Sequence, residues 1–236
     1  MSTLLEVAEQ LRAEADARQS DRLNSLAQQG STVTCGAGCW ACCGQLVVIS
    51  PLEAHALAEA VTREPDLAGR VEARTVQWRE QLQDEPDLDR QLKEFRAVQG
   101  YPEPERGTHL ETSYWESGLL CPFLEESRCS VYKHRPFACR EHHVTSPPEL
   151  CLLELDAPTP APTRMEYRTL ATWIGVTAFG LPDCQLVLPE ALEFARAHPE
   201  HTTRHVAPER ARELLHQGRR RLAAALTQVL GAGRGG

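Results

Sequence analysis

The sequence predicts a mainly α protein in which helices frame irregular, cysteine-rich loops, with at most a short strand or two. Three observations predict it. Stretches toward both ends repeat apolar residues at helical spacing, and several open on capping signals. Between Gly100 and Pro162 the chain becomes rich in Gly, Pro and Cys and loses its periodicity, ending in the low-complexity stretch APTPAP. Eight of the nine cysteines fall in two groups, within residues 35–43 and 121–151.

The first segment, LLEVAEQL, carries Leu4, Val7, Ala8 and Leu11 on one helical face. Thr3 and Glu6 form a capping box, each side chain satisfying an orphan N–H, and the helix is expected to run to about Gln29 with Gly30 as its stop. QLVVI is a short β-branched run that reads as a strand. SPLEAHALAEAV then opens a helix with Ser50 as N-cap, Pro51 at N1 and Glu53 at N3. Two more helical patterns follow, DLAGRVEARTVQWREQL and DLDRQLKEFRAV, parted by a turn at Pro86. Beyond the irregular region, YRTLATWIGVTAF, PEALEFARA and APERARELLHQGRRRLAAALTQVL read as helices before the tail GAGRGG.

At 236 residues the chain suffices for one good core, so disulfides are not required for size. The N-terminal stretch alternates apolar residues with Glu, Arg and Gln and has no uninterrupted apolar run, which predicts a soluble cytoplasmic protein without a membrane span. A net charge of -8 argues against a nucleic-acid partner, because phosphate binding needs clustered positive charge. The one compact basic run, Arg219 to Arg221, lies in a helical pattern and reads as a solvated face. In a reducing compartment, clustered thiols point to metal or redox chemistry.

The first group reads CGAGCWACC, with Cys35, Cys39, Cys42 and Cys43. A bridge between the adjacent pair is disfavoured, since neighbouring Cα atoms lie about 3.8 Å apart and disulfides want about 4.4–6.8 Å. On an extended backbone the two side chains would leave on opposite sides. Two metals, a multi-iron cluster, or one ligand with one spare thiol suit such a pair. The second group, Cys121, Cys129, Cys139 and Cys151, brings the total to eight, leaving Cys184 outside as an ordinary semi-buried cysteine. Eight thiols suit two zinc sites of four each, or an iron–sulfur cluster with several left over. Either centre carries negative charge that needs cations or N–H donors nearby. Arg128, Lys133, His134, Arg135 and Arg140 are interleaved with the second group; His142 and His143 follow as alternative ligands.

These residues resemble a known family. CGAGCWACC, a short strand and SPLEA, then CPFLEESRCSVYKHRPFACR, are similar to the YkgJ family of cysteine-cluster proteins, the CxxCxxCC zinc- or iron-chelating domain. The match runs through Cys39, Cys42 and Cys43, then Cys121, Cys129, Tyr132, Arg135, Pro136, Cys139 and Arg140, over about residues 33–151. Cys35 departs from the pattern, with three residues between it and Cys39 where the family has two. The resemblance implies metal chelation and also connects to flagellin-lysine methylases, which share the cysteine arrangement and use an iron–sulfur cluster with S-adenosylmethionine. Cys35, Cys39 and Cys42 have the CxxxCxxC spacing of radical S-adenosylmethionine enzymes too. Those enzymes resemble partial (βα) barrels, whereas helix follows helix here, and Ala41 stands where they usually have an aromatic.

The expected protein is organised around a metal site: an N-terminal amphipathic helix over 1–34, a cysteine-cluster metal-binding domain over 35–156, a C-terminal helical segment over 163–230 packing on it, and a disordered tail over 231–236. Its metal ligands are drawn from Cys35, Cys39, Cys42, Cys43, Cys121, Cys129, Cys139 and Cys151, and Arg135 and Arg140 bind the cofactor. A 4Fe–4S cluster is favoured over a zinc-stapled structural or interaction module and over a methylase-like enzyme with a protein substrate. The backbone N–H of Arg140 is expected to approach the sulfur of Cys139.

Overall fold

A computed structural model describes residues 1–97, 104–153 and 166–232. Helix α1 (Leu4–Gln28) starts on the predicted Thr3–Glu6 capping box. It stops in a Schellman motif: Gly30 takes φ +79°, its N–H reaches Ala27 O, and the Ser31 N–H reaches Leu26 O at 2.9 Å. After the first cysteine segment come β2 (Val48–Ile49) and α2 (Pro51–Thr62), the latter with Ser50 and Glu53 closing a second capping box. Helices α3 (Pro65–Gln83) and α4 (Pro86–Ala97) follow as the periodicity requires.

The strands are two-residue pieces in antiparallel pairs. β1 (Ser2–Thr3) pairs with β6 (His205–Val206), β2 with β5 (Leu186–Val187), and β3 (Leu124–Glu125) with β4 (Arg128–Cys129). The last is a hairpin turned by Glu126 and Ser127, both at positive φ, a tight connection that carries no Gly signal in the sequence.

Between residues 104 and 153 the chain is more regular than its composition suggests. Helix α5 (Pro104–Glu116) forms there, followed by the short α6 (Phe137–Glu141) and α7 (Leu150–Leu153). The signal for α5 is two residues: Leu110 and Tyr114, one helical turn apart, are buried against Trp78 and Leu92. Trp78 Nε1–H donates to the Tyr114 hydroxyl at 3.0 Å, so both polar tips are satisfied inside the core. APTPAP lies outside the described residues.

Helices α8 (Glu166–Phe179), α9 (Ala191–Ala197) and α10 (Pro208–Ala232) complete the chain, and residues 233–236 lie outside the described residues. α2 is the centre of the fold. Pro51 to Ala58 and Val61 are all buried, a helix apolar nearly all round. Leu52 and Ala56 face α1 and α8 in one core cluster, while Ala54, Leu57 and Val61 face α3 and α9 in another. The basic run is not wholly a solvated face: Arg219 pairs with Glu14, and Arg221 lies over the Trp173 ring, 5.5 Å from its centroid. Among the described residues no helix is long and apolar enough to cross a membrane.

Candidate metal centre

The first cysteine segment is a series of tight turns. The Cys39 N–H reaches Gly36 O at 3.0 Å, with Gly38 at φ +95°, and a 3-10 turn then spans Ala41–Gly44. The adjacent pair therefore does not sit on an extended backbone, and its thiols are not held apart. Cys43 donates to the Cys42 sulfur, which pulls the Cys42 thiol down to about 7 and pushes that of Cys43 up.

Two backbone seams bring the second segment onto the first. The Cys121 N–H donates to Cys43 O at 2.9 Å. The Thr34 N–H donates to Val144 O at 3.0 Å, and the Val144 N–H returns to Cys35 Sγ at 3.3 Å. An amide aimed at a sulfur is the kind of donor a thiolate ligand needs.

One cavity has Cys35, Cys39, Cys42, Cys139 and Cys151 in its wall, together with Tyr132, Arg135, His142 and His143. Cys35, Cys39 and Cys151 pack with Ala41 and Val144 in one small cluster, whereas Cys121, Cys129 and Cys139 pack against the core of Ile49, Phe123 and Val131. Six of the cysteines thus fall in two neighbouring nests, with Cys42 and Cys43 on the 3-10 turn between them and Cys139 reaching the cavity wall from the second. Cys42 faces the cavity, and Cys43 faces Cys121 and Cys139, whose nearness helps hold its proton on. Cys184 is half-buried against the inner nest's apolar core and outside the cavity wall. Burial raises Cys35, Cys129, Cys139 and Cys184, and takes Cys121 to about 12 and Cys151 to about 11.

The two arginines have different jobs. Arg135 is in the cavity wall; its guanidinium lies 3.7 Å from the Tyr132 ring centroid, its Nε–H donates to Tyr132 O at 3.1 Å, and its charge favours the thiolate forms of Cys42, Cys129 and Cys139. Arg140 is buried and points away from the cavity. Its Nε–H donates to Arg135 O at 2.7 Å, one Nη to Lys133 O, and the other to Asp16 on α1. Its backbone N–H is taken by Pro136 O at 3.0 Å within the helical turn, so it does not serve the Cys139 sulfur. Arg140 orders the loop that places Arg135.

Sequence reasoning missed two further supports. Glu53 caps α2 with one oxygen, and its other, Oε1, accepts the Phe137 N–H at 2.8 Å, anchoring the start of the helix that carries Cys139. Arg12, Asp16 and Gln19 lie along one stripe of α1 and meet His134, Arg140 and His143, with Gln19 Nε2 2.7 Å from His143 Nδ1. The i, i+4, i+7 spacing of polar residues on α1 was the available signal. Glu125 pairs with Arg70 and Arg74.

The donor set fits a thiophilic metal centre. Thiolates select soft or borderline ions, and His142 Nε2 adds a buried ring nitrogen from the cavity wall with no hydrogen-bond partner among the described residues. Fold and site together define a mainly helical metal-binding protein that works through clustered cysteines. The chain belongs to the CxxCxxCC family, described as "Putative zinc- or iron-chelating domain", whose sequence model matches residues 34–155. Comparison with curated proteins and with solved structures returns no match.

Proposed function

We propose that the cavity holds a 4Fe–4S cluster, with Cys35, Cys39, Cys42 and Cys151 as its ligands and His142 as a neighbouring donor, and that Cys43, Cys121, Cys129 and Cys139 hold a second iron centre behind it. The reading rests on the packing of Cys35, Cys39 and Cys151 in one cluster and of Cys121, Cys129 and Cys139 in another, with Cys42 and Cys43 on the turn between them. The adjacent Cys42–Cys43 pair and the excess of cysteines over the four ligands of a single zinc favour a cluster.

When bound, such a cluster supplies one-electron redox chemistry. The chain's own part is to hold and screen it: Arg135 offsets thiolate charge, the Val144 amide hydrogen-bonds Cys35, and Tyr132 and His143 wall the cavity. All nine thiols are unbridged, which suits a reducing, cytoplasmic compartment. Anaerobic purification with absorption spectroscopy, iron and acid-labile sulfide analysis tests the reading. A brown protein with iron and sulfide is the expected result. A colourless protein carrying two zinc ions per chain replaces it with a zinc-stapled interaction module.

A further inference from the structure

Away from the cysteines, α9 runs out into the sequence HPEH, where His198 leads into a 3-10 turn over Pro199–Thr203. The turn folds three donor atoms back together. Glu200 Oε1 lies 3.5 Å from His198 Nδ1 and 3.4 Å from His201 Nε2, and one ligand atom from each of the three residues falls within 4.8 Å of the others. The two imidazoles stack with centroids 5.1 Å apart and planes at 10°, and Phe194 backs the His198 ring at 4.7 Å.

These separations are longer than a charge-assisted hydrogen bond, which closes to about 2.7–2.9 Å. They match two ligands on a shared tetrahedral cation: bonds of about 2.0–2.2 Å put neighbouring N and O ligands about 3.4 Å apart. A histidine ligand also needs its second nitrogen held. His201 Nδ1 is 3.0 Å from Nε2 of His55 on α2, and both rings are buried, at 5% and 2% exposure. With Nδ1–H donated to His55, the lone pair of His201 Nε2 points at Glu200, the tautomer that metal binding requires. The nearby Arg204 is turned to the carbonyls of Phe179 and Gly180.

We propose that His198, Glu200 and His201 form a second metal site, for a borderline divalent cation such as zinc, with His55 as the positioning residue behind it. Three protein ligands leave a fourth position for water. The cation would pin the turn after α9 to the central helix.

The test is a cobalt(II) titration of untagged, full-length protein purified with its cysteine centre filled, with zinc as competitor. One equivalent of cobalt should bind with d–d bands and without the intense near-ultraviolet bands of thiolate ligation. His198→Ala and Glu200→Gln change partly exposed side chains, so the fold should persist while affinity falls at least 10-fold; His55→Phe should weaken it by about 10- to 100-fold. Equal affinity in the parent and His198→Ala overturns the proposal. So does cobalt bound only with thiolate bands, or no cobalt bound.

Discussion

Glu53 Oε1 accepts the backbone N–H of Phe137 at 2.8 Å, while Oε2 accepts the N–H and hydroxyl of Ser50. A single buried carboxylate thus caps the central helix and docks the helix that carries Cys139. Glu53→Ala removes an N-terminal cap interaction, worth about 1 kcal/mol, and strands a buried donor, at about 1–3 kcal/mol. Thermal unfolding should fall by roughly 5–15 °C for a chain of this size, with metal lost at the same time.

The same carboxyl sets a pH dependence. Burial outweighs its hydrogen bonds and raises Glu53 above the usual carboxylate range. Its contribution is fully present below the unfolded value, about 4.3, and is lost as pH rises through the folded value. The stability difference between parent and Glu53→Gln should therefore shrink as denaturant melts are moved from pH 4 toward pH 7. A gap that widens with pH contradicts the assignment.

Splitting the cysteine pair should split the two nests. Under the proposed two-centre reading, Cys42→Ser should deplete the cavity centre and Cys43→Ser the inner one, each lowering metal per chain by a different amount, because a hydroxyl is a poor ligand for soft or borderline ions. Cys184→Ser should leave iron and sulfide unchanged. Identical losses in the two neighbouring variants would mean one shared centre.

Arg135 and Arg140 should separate by readout. Arg135→Gln keeps the loop and weakens metal retention by about 10- to 100-fold. Arg140→Gln acts on folding: losing charged hydrogen bonds to two carbonyls and Asp16 should cost on the order of 2–3 kcal/mol, discounted because Asp16 is half-exposed. Chelator competition reads the first and thermal melts the second.

Gly218 lies where α10 crosses α8, and a Cβ there would meet Leu170 Cδ1 at 2.5 Å and the Trp173 ring at 2.8 Å. Alanine gains about 1 kcal/mol of helix propensity but overpacks the contact by about 1–3 kcal/mol. Gly218→Ala should be destabilising by about 1 kcal/mol in urea melts, with iron content unchanged.

The sequence by itself determined the local elements: the capping boxes at Thr3 and Ser50, the Gly30 stop, the long amphipathic helices, and which residue types would gather around a metal. These are signals read within a few residues, where one side chain satisfies a nearby backbone group or repeats along a face. It also identified Arg135 and Arg140 as partners of the centre without distinguishing them. Helix α5 stayed hidden because its burial pattern is two residues set among Gly and Pro. Only the tertiary structure decided which cysteines pack together, because that depends on a 3-10 turn at Cys42–Cys43 and on seams such as Cys121 to Cys43, closed between distant segments. It likewise turned Arg140 toward Asp16 and gave Glu53 its second partner. The physical reason is that a side chain with several donors or acceptors can satisfy them in many ways, and the choice falls to whatever packing brings within hydrogen-bond reach.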